Sequence, residues 1–135
     1  MPKVAFDTNV LLSAVLSGKG TSYALVHLAA EEKIVGYTSK TLMTEFKEVI
    51  QRDYEVTLEK AEQIVEVYLQ FLKLVEPDIK LKAVQVDEDD NRVLECAVYA
   101  GVEYLASWDP HLTDLKEFNG IKILNPGKLL AELQL

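Results

Sequence analysis

Short apolar runs along the chain alternate with longer segments in which apolar residues recur at steps of three and four. The runs Val4–Phe6, Ile34–Tyr37 and Ile121–Leu124, and a further run from Tyr104 to Asp109, have polar residues or glycine at their borders. This pattern is typical of buried strands. We therefore expect four strands at these places, two of which run into an aspartate.

The segments between these runs, and the last segment, predict helices because their apolar residues form one face. Residues 78–86 predict either a loop or a short edge strand. The first predicted helix is capped by Thr21 or Ser22, and the second is capped by Ser39 and ends near Arg52 and Asp53. The third is capped by Thr57, and its apolar face reaches Val75 before Pro77. The fourth begins within Asp87–Asp90 and stops at Gly101, and the last runs from Gly127 to Leu133.

Strands that alternate with helices indicate an α/β sandwich with a mostly parallel sheet. The chain has 135 residues, of which 49% are hydrophobic, so one domain over residues 1–135 with a sizeable core is expected. In such folds ligands bind at the carboxyl ends of the strands.

Composition and charge narrow the class of protein. The net charge of -8 argues against a broad basic surface for nucleic acid, although it allows a nucleic-acid substrate reached through bound cations. Cys96, His27 and His111 offer little for a thiolate or imidazole metal site. With no signal-peptide pattern and no apolar run long enough to span a membrane, we expect a cytoplasmic protein that is not attached to a membrane.

Two aspartates follow predicted strands. Asp7 ends the first strand, and Asp109 ends the run that starts at Tyr104. Either aspartate alone is equally well explained as a turn former or a helix cap. Together, at the carboxyl ends of two strands of one sheet, they favour a site.

Glu45 interrupts the apolar stripe of its predicted helix and lies next to Phe46. Its side chain is therefore expected to point inward. A buried carboxylate needs a cation, a hydrogen-bond donor or a cavity. The alternative is a boundary residue whose carboxylate reaches water.

An acidic cluster, Asp87–Asp90, opens the next predicted helix. The residues three, four and seven positions after Asp90 are all apolar, so Asp90 lies at the start of the helix face that turns toward the sheet. The residues at the same steps after Asp89 are a mixture of polar and apolar, so Asp89 lies at the border of that face. Acidic residues at a helix start also serve as caps and favour the helix dipole, which is the alternative for Asp90 itself.

If the candidate carboxylates converge, they repel one another unless divalent cations neutralise them. Ligand sets made only of oxygen suit Mg²⁺ or Mn²⁺, which are commonly held by carboxylates together with substrate phosphates. The expected chemistry is then phosphodiester hydrolysis. The candidate carboxylates are Asp7, Glu45, Asp90 and Asp109.

Four short motifs, in this order, resemble those of the PIN-domain family. They are Asp7-Thr8-Asn9, Glu45 within Leu42–Phe46, the segment Asp90–Ala97, and Ser107-Trp108-Asp109. More narrowly, the chain is similar to toxin components of bacterial and archaeal toxin–antitoxin systems related to the VapC toxins. The resemblance spans nearly the whole chain and implies a three-layer α/β/α sandwich around a mostly parallel sheet.

The resemblance further implies a Mg²⁺- or Mn²⁺-dependent ribonuclease selective for single-stranded RNA, with the four carboxylates as metal ligands. Asn9 and Ser107 would be supporting polar residues that orient these ligands. An antitoxin partner and a homodimer are also implied. Lys19, Lys40 and Arg92 are candidates for guiding the RNA backbone.

Alternatives remain open for the function and for several residues. One is a PIN scaffold that binds RNA or a protein without cleaving, and another is a haloacid-dehalogenase-like phosphatase, although Asn9 stands where that family has its second aspartate. Asp114 and His111 could join the site but are more simply explained as loop residues. Three aromatic residues could stack on bases, although packing in the core is the favoured interpretation: Tyr99, Tyr104 and Trp108.

Overall fold

The computed structural model describes residues 1–78, 80 and 88–134, except for the side chains of residues 88–90. Within these ranges the strands are β1 (Lys3–Phe6), β2 (Val35–Ser39), β3 (Leu72–Val75), β4 (Tyr104–Ala106), β5 (Glu117–Phe118) and β6 (Ile121–Leu124). The helices are α1 (Thr8–Ser17), α2 (Gly20–Ala30), α3 (Lys40–Tyr54), α4 (Leu58–Leu69), α5 (Glu88–Ala100), α6 (Pro110–Thr113) and α7 (Pro126–Leu133).

The strands form one sheet in the order β3-β2-β1-β4-β6-β5. Every neighbouring pair is parallel except β5 and β6, which are antiparallel. The chain places β2 and β3 on one side of β1 and then returns to place β4 on the other side. The direction of strand addition therefore reverses between β1 and β4, and this confirms the predicted mostly parallel sheet.

Helices cover both faces of the sheet because alternate residues of the strands point to opposite sides. Val4 and Phe6 of β1 pack with α1, α2, α4 and α7, whereas Ala5 packs with α5 and α6. Helix α3 contributes to both apolar clusters. This arrangement is the predicted three-layer sandwich.

Local sequence signals set several of the helix ends. The Ser39 hydroxyl accepts a hydrogen bond from the Leu42 N–H at 3.2 Å, so Ser39 caps α3 as predicted. Thr57 caps α4 in the same way, through the Lys60 N–H at 3.1 Å. Gly101 follows the end of α5 with a φ of 66°, a left-handed conformation that glycine adopts without strain.

Close packing at the centre of the sheet needs a glycine. A Cβ atom on Gly36 of β2 would lie 2.5 Å from Leu72 Cδ2 and 2.7 Å from Phe6 Cε2. These distances are far inside van der Waals contact. Gly36 therefore lets Leu72 of β3, Phe6 of β1 and Ala29 of α2 pack closely around β2.

The structure corrects the predicted course of the chain after Thr57. Helix α4 ends at Leu69, and the residues expected to complete its apolar face form strand β3 instead, paired with β2. Strand β5 and helices α1 and α6 were not predicted. Helix α2 begins at Gly20, before either predicted cap. The segment 78–86, predicted as a loop or edge strand, lies mostly outside the described residues.

No helix in the described ranges is both long enough and apolar enough to cross a membrane.

Candidate active site

The candidate site lies where β1 and β4 end side by side. Asp7 follows β1 and Ser107 follows β4, and the Asp7 N–H continues the pairing of these strands by donating to the Ala106 carbonyl at 2.9 Å. β1 and β4 are parallel, but the order in which strands are added to the sheet reverses between them, and this opens a crevice at this point of an α/β sheet. Two segments a hundred residues apart in sequence thus meet at the carboxyl edge.

Asp7 is the centre of a short network of hydrogen bonds. Its Oδ2 accepts from Ser107 Oγ at 2.7 Å and from Asn9 Nδ2 at 3.3 Å, and its side chain is only 7% exposed. Ser107 Oγ in turn accepts from the Asp109 N–H at 3.0 Å. Asn9 Oδ1 accepts from the Trp108 N–H at 3.1 Å. The network links the start of α1 to the segment after β4.

Burial disfavours the ionised form of Asp7 and raises its pKa from 3.8 to about 6. The negative charge of Asp109 adds to this rise, while the hydrogen bond from Ser107 and the backbone amides of Thr8 and Asn9 act in the opposite direction. No Lys or Arg of the described ranges pairs with Asp7. The carboxylate is therefore held by neutral donors, in a place where its charge is disfavoured.

Asp109 caps the short helix α6. Its Oδ1 accepts from the His111 N–H at 2.9 Å, while its side chain stays half-buried beside the Asp7 network. The side chain of His111 is exposed, as is that of Asp114 at the far end of α6. Asp109 is therefore both a helix cap and a neighbouring charge of Asp7.

Glu45 lies on α3, which starts at the carboxyl end of β2. Its side chain is half-buried and lines a surface groove together with Lys40 and Arg52. Among the described side chains, no three from His, Cys, Asp or Glu are close enough to hold a metal ion. Glu45 thus does not complete a three-carboxylate cluster with Asp7 and Asp109.

Helix α5 begins at the carboxyl edge, because it returns the chain between the parallel strands β3 and β4. Asp90 lies in its first turn, and the side chain of Asp90 is outside the described structure. Farther along the helix, Asn91 and Glu95 are each 3% exposed. Arg92 Nη2 donates to Glu95 Oε2 at 2.7 Å, and Arg92 Nε is buried with no hydrogen-bond partner in the described structure.

Asn91 and Glu95 are buried polar residues that were not predicted as site residues. Glu95 lies four residues after Asn91 in a helix whose surrounding residues are buried. The reasoning that singled out Glu45, a carboxylate among apolar neighbours on a helix, applies equally to Glu95. That signal was present in the sequence.

The candidate RNA-contacting cations occupy different environments. Lys19 and Lys40 are exposed at the starts of α2 and α3, whereas Arg92 is half-buried and paired with Glu95. Trp108 is 42% exposed, and its indole Nε1 donates to Ser22 Oγ at 2.8 Å. The expectation that Trp108 belongs to the core is therefore wrong.

An apolar groove of about 470 Å³ lies away from this network, between α1, α2 and α4. Its walls include Val15, Tyr23, Ile64 and Val67, and it contains no carboxylate. His27, Lys60 and Tyr68 also line it, but it lacks the carboxylates that would hold a divalent cation. The carboxyl edge of the sheet remains the better candidate for a reaction.

The chain is similar to known proteins in both sequence and fold. The sequence profile described as "PIN domain" matches residues 3–111. The chain is 30% identical to the uncharacterized protein MJ1680 of Methanocaldococcus jannaschii, in an alignment covering 98% of this chain and 92% of MJ1680.

Two solved structures share the fold at low sequence identity. VapBC2 from Rickettsia felis, bound to a DNA fragment from its promoter, matches with a TM-score of 0.67 and 14% identity, over 91% of this chain and 98% of that chain. PAE2754 from Pyrobaculum aerophilum matches with a TM-score of 0.60 and 16% identity, over 98% of this chain and 97% of that chain.

Proposed function

Since the chain belongs to the PIN-domain family, we propose that it is a metal-dependent ribonuclease that hydrolyses phosphodiester bonds of single-stranded RNA. The site is the carboxyl edge of the sheet around Asp7. The four carboxylates expected to act there are Asp7, Glu45, Asp90 and Asp109.

The observation that carries this proposal is the environment of Asp7. A carboxylate that is 7% exposed, with Asp109 nearby and neutral donors as its partners, destabilises the fold when it is ionised. Such a group is explained most simply if a cation compensates the charge in the working protein. Perturbed carboxylates of this kind are concentrated at functional sites.

The donor atoms around Asp7 fit Mg²⁺ or Mn²⁺. They are oxygens of carboxylates and a hydroxyl, which suit a hard divalent cation, and no thiol or imidazole is part of the network. Asp7 and Asp109 would hold the ion, with Asp90 and Glu45 as further carboxylates implied by the resemblance. When bound, such an ion supplies Lewis-acid activation of the phosphodiester and of water.

The remaining residues of the network would hold Asp7 in place. Ser107 and Asn9 both donate to the same oxygen, Oδ2, which fixes the plane of the carboxylate. The Asn9 amide is engaged at both ends, by Asp7 and by the Trp108 N–H. Asn9 thus connects Asp7 to the backbone after β4. As an amide, it cannot serve as the general acid that the phosphatase alternative requires. Lys19 and Lys40, exposed at helix starts, would attract the RNA backbone.

The test is cleavage of a panel of end-labelled single-stranded RNAs in Mg²⁺ or Mn²⁺ by wild-type protein, Asp7→Asn and Asp114→Asn. Asp7→Asn keeps the shape of the side chain but loses the charge, so we expect its rate to fall by orders of magnitude while its circular dichroism spectrum is unchanged. Asp114→Asn, a matched change at an exposed position, should keep the wild-type rate.

Cleavage by Asp7→Asn at the wild-type rate would remove Asp7 from the mechanism. Calorimetry separates a nuclease from a scaffold that binds without cleaving. A wild-type chain that neither cleaves any RNA of the panel nor binds Mg²⁺ or Mn²⁺ would support the scaffold.

We also propose that the protein is the toxin of a toxin–antitoxin pair, that it binds an antitoxin protein and that it forms a homodimer in the cytoplasm. The resemblance to VapC-related toxins and the fold shared with VapBC2 support this partner. The neighbouring gene tests it: a small reading frame that encodes a DNA-binding domain and a tail, and whose product inhibits cleavage, is expected. Light scattering should give twice the chain mass.

A further inference from the structure

Trp108 is fixed at the border of the candidate site by both of its N–H groups. The backbone N–H donates to Asn9 Oδ1 at 3.1 Å, and the indole N–H donates to Ser22 Oγ at 2.8 Å. Both acceptors are well anchored, because Asn9 is hydrogen-bonded to Asp7 and Ser22 is 2% exposed in the first turn of α2. The ring therefore has a defined orientation.

Trp108 is nevertheless 42% exposed. A tryptophan that served the core would bury its faces, since its apolar area dominates what it contributes to packing. Here the polar edge is tied to the protein while a large part of the apolar surface stays open to solvent. An aromatic surface that is open to solvent beside the candidate site is available to stack on a base of a ligand.

We propose that Trp108 is a stacking platform for a base of single-stranded RNA, next to the phosphodiester bond that is cleaved. The proposal rests on the proposed nuclease function and names the part of the substrate that this chain recognises. Trp108 lies between Ser107 and Asp109, both part of the network around Asp7. A base on its ring therefore belongs to a nucleotide close to the reacting phosphate.

The charge of the protein favours this mode of recognition. A net charge of -8 argues against a broad basic surface for RNA, so contacts that do not need cations are expected to supply a share of the affinity. Stacking on an aromatic ring provides this and tolerates any sequence, because every base has a π-face. Duplex bases are already stacked on one another, and the platform therefore selects single strands.

The surroundings of the ring also suit the phosphate of the stacked nucleotide. Because Ser22 is in the first turn of α2, the N-terminal end of this helix lies beside the indole. Lys19 is exposed at this end, so its positive charge is accessible, and its side chain does not cap the start of the helix. A phosphate beside a helix N-terminus and a lysine is favoured by both.

Trp108 is the single tryptophan of the chain, so its intrinsic fluorescence reports on the platform directly. The test uses the Asp7→Asn protein, in which cleavage does not interfere, with two probes of equal length and charge. One probe is an eight-nucleotide oligoadenylate, and the other is an abasic oligomer with the same number of phosphates. We expect the oligoadenylate to quench the fluorescence and the abasic oligomer to leave it unchanged.

Affinity is then measured by anisotropy of end-labelled probes. Trp108→Leu in the same background should weaken binding of the oligoadenylate by about 5- to 150-fold, the range known for loss of one base–aromatic contact, and leave binding of the abasic oligomer unchanged. Trp108→Phe, which keeps an aromatic face, should recover much of the loss. Tyr99→Leu is the matched control, because Tyr99 is 50% exposed on α5 near the opposite edge of the sheet, and it should bind both probes normally.

The outcomes separate this proposal from the nuclease function. Base-dependent quenching by a chain that cleaves no RNA supports the platform and contradicts the nuclease. Cleavage by the wild-type chain together with equal oligoadenylate binding by Trp108→Leu overturns the platform and leaves the nuclease intact. A loss that is the same for both probes also overturns it, since the ring would then act on the backbone or on the fold.

Discussion

Replacing Asp7 with asparagine should stabilise the metal-free protein at pH 8 and have a much smaller effect at pH 4.5. In the folded chain burial raises the pKa of Asp7 from 3.8 to about 6. Because the folded pKa is the higher one, the stability linked to this group is fully present below about pH 3.8 and is lost as the pH rises through 6. Above pH 6 the fold carries the full cost of a buried charge.

The size of the effect follows from the two pKa values. At 1.36 kcal/mol per pKa unit, the ionised Asp7 costs the fold ~3 kcal/mol at pH 8. At pH 4.5 the folded carboxyl is almost fully protonated while the unfolded one is already mostly ionised, which leaves a cost of ~1 kcal/mol. Asp7→Asn removes the charge and keeps a similar shape. Its gain in stability should therefore be larger at pH 8 by ~2 kcal/mol.

Urea unfolding in EDTA, at both pH values and fixed ionic strength, measures this difference. Asp114→Asn, at an exposed position, is the matched control and should leave the free energy of unfolding within ~0.5 kcal/mol of the wild type at each pH. Titrating groups far from Asp7 are common to the compared proteins and cancel in the difference. An equal effect of Asp7→Asn at pH 8 and pH 4.5, or a loss of stability at pH 8, would refute the argument that burial disfavours the charge.

Further predictions concern metal binding, the acidic cluster and packing. Mg²⁺ at a hundred times its dissociation constant should stabilise the wild-type protein by ~2.7 kcal/mol in thermal melts and have little effect on Asp7→Asn; equal stabilisation of both would place the ion elsewhere. In single-turnover cleavage assays Asp90→Asn should reduce the rate by orders of magnitude and Asp89→Asn only slightly, and the reverse order would reassign the ligand. Ser107→Ala removes a donor to a buried carboxylate and should cost ~1.5–3 kcal/mol of stability at pH 8, and less at pH 4.5; a loss independent of pH would show a role in packing alone. Gly36→Ala should destabilise the fold by ~1–3 kcal/mol in urea unfolding, because no room exists for a methyl group, and an unchanged midpoint would contradict the close approach.

Features that depend on neighbouring residues were predictable from the sequence. Ser39 is a good cap three residues before Leu42, and the structure has that hydrogen bond. Gly101 ends α5 for an equally local reason. The position of Asp7 at the carboxyl edge also followed from the pattern, because an apolar run that stops at a polar residue indicates the end of a buried strand.

The boundary between α4 and β3 was not predictable in this way. The apolar residues Leu72 and Val75 continue the helical spacing from α4, yet they also fit a short strand. Pairing with β2 determines that these residues form a strand, in which Leu72 lies opposite Gly36 and Val75 opposite Ser39. That pairing joins residues more than thirty positions apart, and the local periodicity of the sequence carries no information about such a contact.

The environment of Trp108 was unpredictable for a similar reason. Its exposure depends on where Ser22 lies, and the two residues are 86 positions apart. The local pattern around Trp108, an aromatic residue between a strand and a helix, favoured the core and contained no sign of the contact with Ser22. Glu95 differs from Trp108, because the apolar residues around Glu95 in the sequence already indicated a buried carboxylate.

The hydrogen bond between Ser107 and Asp7 joins residues 100 positions apart. During synthesis β1 is made early, but its partner β4 follows only after most of the chain, and closing so long a loop is slow compared with forming helices. A fragment that stops before Tyr104 contains Asp7 and Glu45 but neither Ser107 nor Asp109. Truncated or half-made chains therefore lack the assembled site. Under the proposed nuclease function, RNA cleavage would therefore begin only after β4 has been made and has paired with β1.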